Sequence, residues 1–403
     1  MGSGGWNRRR FVGVLAGAAG AAALPAAAGC GGAPTPGGSR SSGPPTEPGA
    51  RPSAPGTERP SGPRPLYLGT YTSAQGGGRG IGLAEYDPRT GRITGRSTLT
   101  GVDDPSYLAV HPDGRTLYAV NEREEGAVTA VRRSDGTVLG SRSTGGAAPC
   151  HLSVHPGGHW LLSANYGSGS VAVHPIDGSG ALGERTGLVT HSAPRPGPGQ
   201  RGPHAHQIVT SPDGGHVLAV DLGTDSVYTY RLDERAGTLT EVARARARPG
   251  AGPRHLTFHP GGLHAYLANE VDNTVAVCVY DPDTGRLTIG EPQSTGTGPG
   301  TSYPAQLLVT ADGRHAYLAN RGHDSITRYA VESDGARLRL RDTVPVGGDF
   351  PRQIAFSPDG ALLFAANQKS DDVSVFRVDE ASGELRLAGK PFASPVAVCA
   401  LPL

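Results

Sequence analysis

The chain has 403 residues, a formal net charge of +1 and charged residues at only 18% of its positions. A near-neutral charge argues against a nucleic-acid-binding surface or an electrostatic membrane patch. The 62 Gly and 35 Pro residues are typical of a turn-rich all-β protein. The length alone would allow two domains. An internal repeat nevertheless assigns the whole globular part to one domain.

Residues 1–30 are expected to be an export signal rather than part of the fold. Arg8, Arg9 and Arg10 form a pattern that resembles a Tat signal, and an apolar Ala-rich run follows. This run is too short and too rich in small residues to predict a transmembrane helix. It ends in Ala-Ala-Gly-Cys, which resembles a bacterial lipoprotein box with Cys30 as the lipidated residue. A plain cleaved signal is the alternative.

Residues 31–64 consist mainly of Pro, Gly, Ser and Thr, with almost no apolar side chains. Such a segment cannot bury a core, so we expect a disordered tether. The globular domain then spans residues 65–403. Its three cysteines, Cys150, Cys278 and Cys399, are an odd and scattered set, which predicts buried free thiols rather than a disulfide framework.

Seven copies of one short sequence pattern run through the globular domain. The clearest copy begins at Pro253, contains a tight turn at Pro260-Gly261-Gly262 and ends at Asn269-Glu270. The other copies begin at Pro105, Pro149, Pro203, Pro304, Pro351 and Pro395. A repeat of roughly 45–55 residues with several short strands per unit is the signature of a β-propeller.

The two ends of the domain complete one repeat between them. The copy at Pro395 stops at the chain end before its second half, and residues 65–71 supply that half. We therefore predict an all-β, seven-bladed β-propeller with four-stranded blades. N-terminal strands near 66–72, 80–86 and 92–99 should pair with a C-terminal strand at 395–401. Closing the ring in this way leaves no large open edge.

The antiparallel order of the strands predicts where a site could lie. The first strand of each blade is innermost, and its start emerges on the same face as the end of the second strand. Residues just after the recurring Pro and Asn positions should therefore converge at the mouth of the central channel. They include His151, His204, His206, Asp221, Arg254, Glu270, Arg321, Arg352 and Gln368.

These residue types suit an anionic small molecule that undergoes proton transfer. A guanidinium group matches a carboxylate or phosphate, and imidazole acts as acid or base near neutral pH. An offset of 16 residues places Arg254 beside Glu270, where a purely structural ion pair is the alternative. His204 and His206 could share a metal ion. No Cys or carboxylate cluster beside them completes a zinc site, so we predict no metal or other cofactor.

The chain resembles the lactonase family of seven-bladed propellers, which includes propeller-type 6-phosphogluconolactonases and carboxy-cis,cis-muconate cyclases. The resemblance covers about Leu66 to Leu403. The segments that carry it are 165–171, 203–206, 221–225, 253–256, 269–270, 320–325 and 366–368. It implies a cofactor-independent site in which His206, Arg254 and Glu270 are catalytic and Arg321 contacts an anion. The chain departs from the family at Gln306, where Glu is frequent.

The resulting hypothesis is an exported lactonase that is lipid-anchored on the outer face of the cell membrane or secreted. His206 would activate water or protonate the leaving alkoxide, Arg254 would polarise the lactone carbonyl, and Glu270 would orient either of them or act as the acid/base partner. Substrate-binding roles are expected for His151, Arg201, His204, Asp221, Arg321, Arg352 and Gln368.

The expected partner of the site is a small anionic lactone or carboxylate. We expect a monomer that binds no nucleic acid and meets the membrane only through a lipid on Cys30. A muconate-type cycloisomerase would use the same residues to form a lactone. A non-catalytic, surface-tethered binding module is the alternative outside the enzymes.

Overall fold

The computed structural model describes residues 62–192, 200–298 and 300–403. The predicted export signal with Cys30, and residues 31–61 of the predicted tether, lie outside these ranges. Within them the regular structure is β-strand apart from one 3₁₀ turn at Ser333–Gly335. No helix in the described ranges has the length and apolarity needed to cross a membrane.

The strands of the described residues form seven antiparallel sheets. The first three strands belong to the last blade and are β1 (Arg64–Thr70), β2 (Ile81–Tyr86) and β3 (Ile93–Leu99). Blades 1 to 3 follow as β4 (Leu108–Val110), β5 (Thr116–Asn121), β6 (Ala127–Arg132), β7 (Val138–Ser143), β8 (Pro149–Val154), β9 (Trp160–Asn165), β10 (Ser170–Pro175), β11 (Gly187–Thr190), β12 (Ala205–Thr210), β13 (Val217–Asp221), β14 (Ser226–Asp233) and β15 (Thr238–Arg246).

The remaining blades complete the ring. Blades 4 to 6 contain β16 (Pro253–Phe258), β17 (His264–Asn269), β18 (Thr274–Tyr280), β19 (Leu287–Ser294), β20 (Tyr303–Val309), β21 (His315–Arg321), β22 (Ser325–Glu332), β23 (Arg337–Pro345), β24 (Pro351–Phe356), β25 (Leu362–Asn367), β26 (Asp372–Val378), β27 (Leu385–Leu387) and β28 (Phe392–Ala393). The C-terminal strand is β29 (Ala397–Pro402).

Blade 7 closes the ring as predicted, because its strand order is β29-β1-β2-β3. Strand β29 runs antiparallel to β1, with Pro402 opposite Leu66 and Ala397 opposite Thr70. The innermost strands of consecutive blades contact one another all the way round. In blade 6 the outer edge is divided between β27 and β28, which both pair with β26. Pro391 lies between them and cannot donate to a strand ladder.

The core is a ring of apolar layers between blades. Buried apolar side chains of the described residues form seven clusters, each shared by two neighbouring blades. Strands β9 and β25 are buried at every residue because both of their faces are covered. This double burial explains why the second strand of each repeat reads as an almost continuous apolar run rather than an alternating one.

The prediction of buried thiols without a disulfide framework is confirmed, since Cys150, Cys278 and Cys399 are buried and form no disulfide with any described residue. Burial raises the pKa of Cys278 and of Cys399 to about 12. Because the thiolate is the reactive form, these two groups are unreactive at neutral pH. They act as small apolar side chains in the clusters between blades.

A recurring polar contact ties three of the blades to the next one. Asp225, Asp324 and Asp371 each follow the second strand of a blade and adopt a positive φ between 49° and 56°. Asp and Asn tolerate this left-handed backbone better than other non-glycine residues. Their carboxylates accept a backbone N–H from the loop that enters the following blade, namely Gly252 (2.7 Å), Phe350 (2.8 Å) and Val396 (2.8 Å).

Replacing Asp371 tests this contact at the closing blade. Asp371→Ala removes the acceptor for the Val396 N–H. It also places alanine at a φ of 56°, a left-handed backbone that alanine tolerates poorly. We expect the free energy of unfolding to fall by about 2 kcal/mol. Asp371→Asn keeps an oxygen acceptor and tolerates the backbone, so its loss should be less than about half as large. Urea denaturation of both variants measures the difference, and equal losses would contradict the assignment.

Candidate active site

A β-bulge recurs at the start of the innermost strand and directs one side chain per blade into the channel. In blade 4, Pro253 pairs with Asn269 and His255 pairs with Ala268, which leaves Arg254 as the extra residue. The same register shift occurs in five other blades, at Cys150, His206, residues 305–306, Arg352 and Val398. Bulges re-aim side chains in this way and are frequent beside active sites.

These bulges surround one small cavity at the centre of the ring. It is lined by Tyr107, Cys150, His206, Arg254, His255, Gln306, Arg352, Gln353 and Val398. It has room for about one water molecule. Blades 3 to 6 provide its polar side, whereas Val398, Tyr107 and Cys150 of blades 7, 1 and 2 form a less polar side.

Glu270 joins two arginines, of which Arg254 lines this cavity. Its Oε2 lies 3.1 Å from Arg254 Nε and 2.6 Å from Arg321 Nη2. Arg254 Nη1 donates to the Ala305 carbonyl at 2.7 Å, and Arg321 Nη2 donates to the Pro304 carbonyl at 3.2 Å. The predicted contact between Arg254 and Glu270 is therefore present, and Arg321 is added to it.

Arg254 carries its charge in a buried environment. Its side chain is 2% exposed. Burial lowers the pKa of Arg254 well below its usual value, the neighbouring Arg321 charge lowers it further, and Glu270 opposes both effects. A guanidinium group nevertheless stays protonated at neutral pH. Glu270 thus makes a buried cation tolerable, and the low local dielectric strengthens the cation's effect on any bound oxyanion.

A second carboxylate, Glu122, organises the other side of the mouth. Its Oε2 accepts hydrogen bonds from Tyr71 Oη at 2.7 Å, Ser106 Oγ at 2.5 Å and Arg352 Nη2 at 3.2 Å. The Arg352 guanidinium also lies 5.6 Å from the centre of the Tyr71 ring. This centre draws its members from blades 1, 6 and 7, so it forms only when the ring is closed.

Three histidines meet beside Arg254. The rings of His206 and His255 are 5.3 Å apart, and those of His255 and His151 are 5.5 Å apart. Burial, reinforced by the Arg254 charge, lowers the pKa of His151 to about 3. The same two causes lower the pKa of His255 well below its usual value. Both rings are therefore neutral at neutral pH.

His204 lies on the other side of Tyr166 from this group. Its ring stacks on Tyr166 at 4.5 Å, and its Nδ1 lies 2.9 Å from the Tyr166 carbonyl oxygen, to which an Nδ1–H would donate. Tyr166 also contacts His206 edge to face at 5.6 Å. Across the described ranges, no group of three or more His, Cys, Asp or Glu side chains is arranged to hold a metal ion.

Of the seven residues predicted to bind substrate, Arg352 lines the cavity and the other six do not. Arg201 is exposed, and Gln368 is half-buried with its backbone N–H bonded to the Phe350 carbonyl. Asp221 is fully buried, and both of its carboxylate oxygens are engaged by groups of the protein. Its position therefore supports a structural role and offers no surface to a substrate.

Three residues for which no role was predicted from the sequence make central contacts, namely Glu122, Tyr71 and His191. One signal for Glu122 was available, because it follows Asn121 as Glu270 follows Asn269. Tyr71 gave no such signal, because its partners come from blades that are distant in sequence. His191 lies just after an outer strand, where the repeat carries no functional pattern.

Comparisons with known proteins agree with the seven-bladed fold. Residues 65–402 match the family model described as "Lactonase, 7-bladed beta-propeller". A 6-phosphogluconolactonase from Bacillus subtilis is 34% identical over 70% of this chain and 82% of its own length.

Two solved structures are similar over nearly their whole length. A protein from Lactobacillus plantarum is 32% identical with a TM-score of 0.79, and the match covers 85% of this chain and 99% of that one. A periplasmic gluconolactonase from Pseudomonas aeruginosa is 31% identical with a TM-score of 0.78 and the same coverage. This chain belongs to the lactonase family of seven-bladed β-propellers.

Proposed function

We propose that this protein hydrolyses a lactone at the mouth of its central channel. The observation that carries the proposal is Glu270, which pairs with the buried guanidinium groups of Arg254 and Arg321. Arg254 lines the same cavity as His206. A fixed cation beside a potential base is what ester hydrolysis requires. Membership of the lactonase family supports a lactone as the ester.

Arg254 is proposed to polarise the lactone carbonyl. Its Nε and Nη1 are engaged by Glu270 and the Ala305 carbonyl, whereas its Nη2 makes no hydrogen bond to the described residues. That N–H group is available to the carbonyl oxygen of a substrate. As water attacks the carbonyl carbon, negative charge develops on this oxygen, and a cation fixed in advance stabilises it without reorganisation.

His206 is proposed to move the proton. Its imidazole accepts a proton from the attacking water as the new C–O bond forms. The tetrahedral intermediate then collapses, the ring C–O bond breaks, and the leaving alkoxide takes the proton from the imidazolium. The product is an open-chain hydroxy acid, which ionises at neutral pH and releases one proton to solvent. Glu270 orients Arg254 throughout and takes no proton in this scheme.

Arg352 is proposed to bind a polar or anionic group on the rest of the substrate. One nitrogen, Nη2, is held by Glu122. Its Nε and Nη1 have no acceptor within the described part of the chain. The ion pairs at the mouth contain Arg254, Arg321 and Arg352 with Glu270 and Glu122. Since His151 and His255 are neutral, the formal charges of these five side chains sum to +1.

We further propose that the enzyme is exported and acts on a non-phosphorylated sugar lactone. The Tat-like pattern before residue 30 supports export. A phosphorylated sugar lactone is a cytoplasmic metabolite that an exported enzyme would not meet. The similarity to a periplasmic gluconolactonase supports the same substrate class.

Replacing the proposed catalytic groups tests the mechanism. We expect His206→Ala and Arg254→Ala each to lower kcat/KM by about 100-fold or more, because one removes the base and the other the oxyanion contact. Arg386→Ala is the control, since Arg386 is exposed and Glu384 is its only ion-pair partner among the described residues. Proton release from gluconolactone, 6-phosphogluconolactone and an acyl lactone is measured for all variants.

The activities measured on these three lactones also separate the competing functions. Turnover of gluconolactone by the wild type and its loss in both variants would support the proposal. Full activity of both variants would refute the assigned residues. A wild type that is inactive on every lactone would refute the function itself, and turnover of a muconate instead would favour a cycloisomerase.

The neutral histidines predict how stability depends on pH. The unfolded chain protonates His151 near pH 6.5, whereas the folded chain does so only near pH 3. The unfolded state therefore binds more protons in between, and stability falls as pH decreases through this window. The contribution of His151 is about 1.4 kcal/mol per pH unit, and His255 adds in the same direction.

Urea denaturation at pH 7 and pH 5 measures this dependence. His151→Gln should reduce the slope of the unfolding free energy against pH by the amount that corresponds to about one bound proton, because the glutamine side chain does not titrate. His159→Gln is the control, since His159 is exposed, and it should leave the slope unchanged. An unaltered slope in His151→Gln would mean that His151 is not held neutral in the folded state.

A further inference from the structure

Blade 3 departs from the repeat at the end of its second strand. Five other blades carry Asn at or beside this position, namely Asn121, Asn165, Asn269, Asn320 and Asn367. Blade 3 alone among these six has an acidic residue, Asp221. It is also the blade whose bulged residue is His206. The exception in the repeat therefore falls on the blade that carries the proposed base.

The Asp221 carboxylate holds the backbone that leads into the bulge. Its Oδ1 accepts hydrogen bonds from the backbone N–H groups of His204, Gly223 and Thr224, each at 2.9 Å. Asp221 also pairs with Ala205 in the strand ladder. Both residues that precede His206 are thus fixed by residue 221, one through its side chain and one through its backbone.

The asparagines of blades 2, 4, 5 and 6 make a different contact, whereas Asn121 Nδ2 of blade 1 donates to the Asp103 carbonyl in the entering loop. Asn165 Nδ2 donates to Ser170 Oγ, and Asn269 Nδ2 donates to Thr274 Oγ1. These bonds point toward the third strand of the same blade and not toward the entering first strand. A carboxylate, which only accepts hydrogen bonds, is suited to gather several backbone N–H groups. The change from Asn to Asp at position 221 therefore changes which segment is held.

A buried histidine forms a hydrogen bond with the Asp221 carboxylate. His191 Nδ1 lies 2.6 Å from Asp221 Oδ2, and both side chains are inaccessible to solvent. His191 Nε2 lies 2.9 Å from Tyr230 Oη, and the His191 ring stacks on Tyr228 at 3.9 Å. A neutral imidazole that carries its proton on Nδ1 satisfies both hydrogen bonds, because Nδ1–H donates to Asp221 while Nε2 accepts from the Tyr230 hydroxyl.

We propose a positioning relay that sets the location of the His206 imidazole. The relay is the series of hydrogen bonds that links Tyr230, His191 and Asp221. None of the three is a catalytic residue, since none lines the cavity. The relay holds the start of β12, and the bulge at His206 follows directly from that anchor. This inference rests on the proposed role of His206 as the base. Displacing a reacting group by about 1 Å can cost 100-fold in rate.

The test compares two buried histidines of the same region. His191→Phe removes both hydrogen bonds of the relay ring. His216→Phe is the matched control, because His216 is buried beside β13 and its Nδ1 bonds to Tyr280 Oη at 2.9 Å, away from the cavity. We expect His191→Phe to lower kcat at least tenfold with KM changed less than twofold. His216→Phe should lower the melting temperature to a similar extent and leave kcat unchanged.

Substitutions at Asp221 distinguish positioning from general stability. Asp221→Ala removes the acceptor for the His204 N–H and should reduce kcat at least tenfold in folded protein. Asp221→Asn can keep the amide oxygen on that N–H and donate its amide N–H to His191, which then adopts the other tautomer. It should therefore recover most of the wild-type kcat. Equal kcat losses in Asp221→Ala and Asp221→Asn would overturn the relay.

A readout independent of activity separates this inference from the proposed function. Imidazole NMR signals of the protein labelled in histidine report the environment of His206, assigned by the signal missing in His206→Ala. We expect the His206 signal to shift in His191→Phe and Asp221→Ala but not in His216→Phe. If the wild type hydrolyses no lactone, the proposed function fails while this shift still tests the relay. An unmoved His206 signal and an unchanged kcat in both relay variants would overturn it.

Discussion

The pairing of β29 with β1 is the contact on which the remaining structure depends. Without it, both strands would present unpaired edges, and the apolar layers that blade 7 shares with blades 6 and 1 would lose one face. A propeller has no single central core, so each blade is stabilised only by its two neighbours. Closing the ring gives the first and last blades the second neighbour that every other blade already has.

The same closure brings charge into the centre of the molecule. Arg254, Arg321 and Arg352 are buried with Glu270 and Glu122 as partners. Removing charges from water opposes folding, and ion pairing offsets that loss only in part. Such a cluster is poorly explained by stability alone. The proposed function would account for it, because fixed cations in a dry site act on a substrate more strongly than they would in water.

Much of the fold was predictable because the pattern of each blade is local. The turn signals and apolar runs of one repeat identify four strands, and the incomplete repeat at Pro395 identifies the closing blade. The contact between Arg254 and Glu270 was also predictable, since a hairpin offset of fixed length sets it. The bulges were not, because an extra residue in a strand leaves the sequence pattern of Pro and apolar residues unchanged.

The contacts that the sequence did not reveal are those between blades. Glu122 and Arg352 are separated by 230 positions, and no local periodicity relates them. Asp221 follows the recurring end of a second strand and was predicted to bind substrate for that reason. Its true surroundings depend on His191 from the neighbouring blade, which is a tertiary arrangement. Position in the repeat predicts where a side chain starts, whereas its neighbours determine what it contacts.

The ion pair between Glu122 and Arg352 has a consequence for the synthesis and proteolysis of the chain. It joins blades 1 and 6 across the closing blade, with Tyr71 at the end of β1 as a third member. A nascent chain that has not yet released its last residues cannot assemble this side of the mouth. A chain that a protease has shortened at the C-terminus loses it again. If the proposed activity depends on this side of the mouth, it is expected only of intact molecules, and its measurement would report the integrity of the whole ring.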